Sequence, residues 1–214
     1  MDKRIREGIV ATLAVAGAAA SLYFAFAGRS PKFDLDPYEI LGVVTAEETS
    51  KLLGNKGQVL LMAPDTGANK NPSVEAEIKT FQETLKKQKG ISVITEQIPV
   101  TPMLMMATGG GVPAEQLFKA LETHAGVGAM VLFFAFPNFS EPELDALKKH
   151  GVKTVVVSSL RSGYKRLLER GAIHLVIAPR PESLPEGRQA PRTLRDRFDD
   201  QFSIITPADA GRLP

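Results

Sequence analysis

Residues 129–159, AMVLFFAFPNFSEPELDALKKHGVKTVVVSS, decide how this chain folds. The stretch opens on the apolar run AMVLFFAFP and closes on KTVVVSS, both too continuous for strands with one wet face. Runs of this kind suit strands covered on both sides. Between them Ser140 and Glu143 make a capping-box pattern ahead of PELDALKKHG, so a helix joins the two strands. A link of that length is too long for a hairpin and calls for a crossover, which makes the strands parallel.

The same texture extends in both directions. QVLLMAP (58–64), ISVITEQIPV (91–100) and IHLVIAP (173–179) are further strand candidates. In PSVEAEIKTFQETLKKQ (72–88), Val74, Ile78, Phe81 and Leu85 fall four, three and four apart and share one helical face. Pro113 suits the first turn of PAEQLFKALETH, and YKRLLERG carries Leu167 and Leu168 before a stop at Gly171. Thr45 and Glu48 form a second capping-box pattern at the head of TAEETSKLLG. The pattern predicts a doubly wound α/β domain over residues 45–180, a five-stranded, mostly parallel sheet in three α/β/α layers.

Around that domain lie two other textures. Residues 1–7, MDKRIRE, are basic, and Gly8 to Gly28 are uncharged, about the 20 residues that a helix needs to cross a bilayer. Ala25-Phe26-Ala27 fits a small-x-small cleavage site after such a segment, but the run is longer than a usual signal core. Tyr23, Phe24 and Phe26 resemble an interfacial belt. The expectation is a retained transmembrane anchor over 8–28 in contact with lipid. Lys3, Arg4 and Arg6 on the inner side would place the remainder outside the inner membrane, on the periplasmic side. Residues 29–44 read as a linker. Residues 181–214 read as an extended tail, with prolines at 181, 185 and 191 and a candidate edge strand at 202–206. Arg188, Arg192, Arg195 and Arg197 in that tail are candidate charge-assisted contacts to a partner.

Composition removes several functions. With 26 basic and 24 acidic side chains the chain has no field to hold a polyanion, and no nucleic-acid motif accompanies it. The absence of cysteine excludes disulfides, zinc–thiolate sites, iron–sulfur clusters and thiol nucleophiles. His124, His150 and His174 are scattered without metal-ligand spacing, so no metal and no cofactor is expected. Ser158 and Ser159 lack a G-x-S-x-G elbow, and ATGGGVPAEQ is neither a P-loop nor a dinucleotide fingerprint. A phosphate-receiver chemistry lacks its carboxylate, because the third strand ends in Phe136-Pro137-Asn138. No catalytic constellation emerges.

In open parallel sheets ligands bind beyond the carboxyl ends of the strands. The loops there begin at PDTGANKN, TPMLMMATGGGVP, FPNFS, SSLRSG and PRPE. Asp65, at the mouth of the first, either binds a hydroxyl or metal or closes an Asx turn on its own backbone. Met103, Met105 and Met106 in the second provide an adaptable apolar contact.

The order of GQVLLMAPDTG, AEQLFKALETHAGVGAMVLFFAFP, PELDALKKHGVKTVVVSS and YKRLLERGAIHLVIAPR resembles the amino-terminal lobe of type I periplasmic sugar-binding proteins, over about Gly57 to Arg180. In that family two lobes close on small polar ligands. The resemblance implies that Asp65, Thr66, Asn138 and Ser158 face the cleft. A single lobe presents one wall of such a cleft, whereas a ligand pocket buries about 70–90 percent of a small molecule. The leading expectation is therefore a noncatalytic accessory or scaffolding subunit of a larger membrane complex. The alternative is a tethered module for a small sugar-like or anionic solute.

Overall fold

The structure, a computed structural model, describes residues 17–18, 21, 34–65, 67, 70–99, 101, 103, 106, 108, 111–181 and 193–213. Contacts divide the chain into Met1–Asp34 and Leu35–Pro214. In the first unit residues 17, 18 and 21 are helical, and the rest of the 8–28 segment lies outside the described residues. Among the described residues no helix is long and apolar enough to cross a membrane.

The second unit opens with α1 (Asp36–Leu52), then alternates β1 (Gly57–Asp65), α2 (Pro72–Lys86), β2 (Ile91–Pro99), α3 (Ala114–Thr123), β3 (Ala129–Leu132), α4 (Glu141–Lys149), β4 (Lys153–Val157), α5 (Lys165–Glu169) and β5 (Leu175–Pro179). It closes with α6 (Leu194–Gln201), β6 (Phe202–Ile205) and a 3-10 turn, Pro207–Arg212. The sheet runs β2-β1-β3-β4-β5-β6. β1 to β5 are parallel, and β6 is antiparallel to β5. The sheet thus has six strands where five were expected. The candidate edge strand at 202–206 is present as β6, pairing Ile205 with Val176 and Phe202 with Pro179.

Alternation along the inner strands splits the core in two. Leu60, Met62, Met130, Leu132 and Val156 pack with Leu117, Leu121, Leu144, Leu147 and Leu168 of α3, α4 and α5. Val59, Leu61, Val131, Val155 and Ile177 pack with Ile40, Val44, Phe81, Leu85 and Phe198 of α1, α2 and α6. These are the three layers, and each fully buried Leu, Met or Phe contributes about 1.5–3 kcal/mol. Phe81 meets Phe133 edge to face at 5.6 Å.

Two expected boundaries move. Residues 36–44 are helix rather than linker, because Ile40, Leu41 and Val44 share the face that packs on the sheet. Thr45 consequently sits inside the helix. Its hydroxyl bonds the Leu41 carbonyl at 2.7 Å instead of capping a helix start. The tail is not extended throughout either. Thr193 and Asp196 form a reciprocal capping box, and Leu194 and Phe198 lie one turn apart with Phe198 fully buried.

Candidate functional site at the strand carboxyl ends

Strand order reverses between β1 and β3, the position at which open parallel sheets form a crevice beyond their carboxyl ends. The last β1–β3 pair is Met62 with Leu132, whereas β1 and β2 stay paired three residues further, to Asp65 with Pro99. Asp65 therefore stands three residues beyond the point at which β1 and β3 part. Gly111 fits the opposite side. It bridges Ala135, and a Cβ there would lie 2.8 Å from the Ala135 carbonyl, so only glycine admits this approach. The Thr108 hydroxyl donates to the Gly111 carbonyl at 2.6 Å, which pins the third glycine of ATGGGVP over the strand ends.

Because β1, β3 and β4 are neighbours in the sheet, Asp65, Asn138 and Ser158 come to the same end of it. Asp65 Oδ1 accepts from the Gly67 N–H at 2.8 Å, an Asx turn that leaves Oδ2 in an exposed carboxylate. Asn138 is exposed, and no described residue holds its amide. Thr66 lies outside the described residues. Ser158 is buried. Its Oγ accepts from the Tyr164 hydroxyl at 2.8 Å and from the Leu160 N–H at 3.1 Å, leaving its own proton to donate.

Arg161 was not singled out in the sequence, although its loop was. Its Nη1 donates to Ser203 Oγ at 2.5 Å and to the Pro179 carbonyl at 3.3 Å, carrying a half-buried guanidinium across the ends of β5 and β6. Ser203 reaches that point only because β6 folds back antiparallel, a pairing that no local sequence signal announces. Leu160 in the loop after β4 and the helical residues Met103 and Met106 between β2 and α3 stand exposed, at 59%, 81% and 86%.

The candidate partner contacts are divided. Arg188 and Arg192 lie outside the described residues. Arg195 pairs with Glu48 and Arg197 with Asp36, so both are engaged within the chain. None of the histidines approaches the crevice chemistry. His174, at the other end of the sheet, accepts the Thr154 N–H on Nδ1 at 3.2 Å, and burial, with Lys153 nearby, pushes its pKa down. His124 lies 3.3 Å from Glu96. Among the described residues no group of His, Asp and Glu has the arrangement of a metal site.

No family model matches this chain, and no curated protein matches it. Solved structures do. The sugar-binding protein of a sugar ABC transporter from Bacillus halodurans superposes with a TM-score of 0.55 at 16% identity, covering 83% of this chain and 64% of that one. AraP, an arabinose binding protein from Geobacillus stearothermophilus, gives 0.53 at 16%, covering 83% and 63%. A chain of the XylFII-LytSN complex gives 0.55 at 15%, covering 80% and 60%. The likeness is one of fold, and the chain spans less than two thirds of the length of these structures. The domain thus shares its α/β fold with part of these sugar-binding proteins, the likeness that the order of its segments implied.

Proposed function

We propose that Leu35–Pro214 is a noncatalytic binding module whose strand-end crevice holds a small polyhydroxyl, sugar-like solute. The observation that carries this reading is the exposure of Asp65 and Asn138 beyond β1 and β3, where the strand order reverses, on a fold whose solved examples include sugar- and arabinose-binding proteins. A carboxylate oxygen and a side-chain amide are the acceptors and donors that vicinal hydroxyls need. The uncharged run at 8–28 supports tethering of this module to the outer face of the inner membrane. A panel of neutral, amino and acidic sugars tested by thermal shift on the full chain checks the binding. A ligand at 100 times its Kd should add about 2.7 kcal/mol of stability. Asp65→Ala should abolish the effect, and a flat response across the panel would remove the proposal.

A protein partner at the same face is the second reading, favoured by the exposure of Met103, Met106 and Leu160 on its rim. It retains the accessory-subunit expectation in narrower form, and one of the matching solved structures is itself a complex of two named components. Affinity purification from detergent-solubilised membranes tests it. A stoichiometric companion lost in Met103→Ser/Met106→Ser/Leu160→Ser would support this reading, and a chain that purifies alone would end it.

A further inference from the structure

A cation with an unused hydrogen-bonding edge stands at the same end of the sheet, across β5 and β6, and its assignment rests on the sugar-binding reading of that end. Arg161 makes both of its hydrogen bonds through Nη1, to the Ser203 hydroxyl and the Pro179 carbonyl. Nε and Nη2, which form the side-on edge of the guanidinium fork, have no partner among the described residues. That edge matches two oxygens of a carboxylate or phosphate.

The surrounding charge supports this assignment. Arg166 and Arg170 both pair with Glu141, Arg195 with Glu48 and Arg197 with Asp36. Arg161 has no ion pair with any described carboxylate. Arg180, the residue after the carbonyl that Arg161 grips, is exposed and also lacks one. Lys165, the first residue of α5, donates to the Leu213 carbonyl at 3.4 Å and has no ion pair among the described residues. Arg161 and Arg180, without described counter-charges, thus follow the carboxyl ends of β4 and β5 in the chain, and Lys165 opens α5, while Arg166 of α5 and Arg195 and Arg197 of α6 are paired. Two hydrogen bonds already hold the guanidinium, so less side-chain entropy is lost when an anion arrives.

We infer that Arg161, with Arg180 beside it, forms an anion subsite at the carboxyl ends of β4 and β5, selecting a sugar acid or sugar phosphate over the neutral sugar. Isothermal titration of the full chain with D-glucose, D-glucuronate, D-glucose 6-phosphate and inorganic phosphate tests this. Glucuronate or glucose 6-phosphate should bind at least tenfold tighter than glucose, and the preference should shrink as salt rises. Arg161→Gln should erase the preference. Arg161→Lys should keep only part of it, because an ammonium cannot engage two oxygens side-on. Ser203→Ala separates the tether from the ligand contact: a melting temperature unchanged with preference retained keeps Arg161 as the binding group. Glucose binding as well as its acids would overturn the subsite and leave the sugar-binding reading standing. Phosphate bound through Arg161 with no sugar arm binding would support the subsite and overturn the sugar reading. Silence in all four arms would overturn both.

Discussion

Arg197 Nη1 lies 2.7 Å from Asp36 Oδ1 and 2.5 Å from Oδ2, joining the helix before the last strand to the first turn of α1. The two residues are 161 apart in sequence. Asp36 also sits where a helix N-terminus favours negative charge. Both side chains are more than a third exposed, at 39% and 46%, so water and salt screen the pair. A double-mutant cycle with Arg197→Ala and Asp36→Ala, read by urea unfolding, should give a coupling of about 0.2–1 kcal/mol that fades in high salt. A coupling well above that range would mean that the pair is shielded from solvent.

The crossing of α1 over α2 depends on Gly42. A Cβ there would run into the Thr80 hydroxyl and the Glu77 carbonyl, and the second of these is backbone that cannot rotate away. Gly42→Ala should cost about 1–3 kcal/mol in urea unfolding even though alanine is the better helix former. Retained or increased stability would show that the two helices can separate without loss.

Next to this crossing, burial pushes the Glu77 carboxyl up to about 7 from its ordinary 4.5. The folded state therefore prefers the protonated acid. Stability is greatest below the unfolded pKa and falls as pH rises from about 4.5 through 7, because over that window the folded chain binds more protons than the unfolded one. Glu77→Gln should flatten this part of the profile and be about 1–3 kcal/mol more stable than the parent at pH 8. Identical pH profiles for the two proteins would show that the carboxyl is solvated.

The buried Tyr164 hydroxyl serves only Ser158 in the hydrogen bonds of this loop. Tyr164→Phe should cost about 0.5–1.5 kcal/mol, and Ser158→Ala should cost less when Tyr164 is already Phe than when it is not. Strict additivity in unfolding experiments would mean that the two hydroxyls are independent.

Much of the architecture was legible because it is written in local chemistry. The apolar runs that became β1, β3, β4 and β5, and the Ser140–Glu143 box that starts α4, act over a few residues and read alike in isolation and in the fold. The start of α1 was misread because Thr45 and Glu48 mimic a cap. Burial of Ile40, Leu41 and Val44 against the sheet carries the helix past that signal. Helix α6 was hidden by flanking prolines and charges, although Thr193-x-x-Asp196 and the four-residue spacing of Leu194 and Phe198 are its local signature.

The sequence by itself determined the layered α/β class, the parallel pairing and the end of the sheet at which Asp65, Asn138 and Ser158 are placed, since hydrophobic period and connection length dictate these. Only the tertiary structure decided that β6 returns antiparallel and brings Ser203 under Arg161, that Ser158 faces Tyr164, and that Arg195 and Arg197 close on Glu48 and Asp36. Apart from Ser158 and Tyr164, which are six residues apart in one loop, those pairings join residues far apart in the chain. Their geometry is set by how the sheet and helices pack, which no short window of sequence contains.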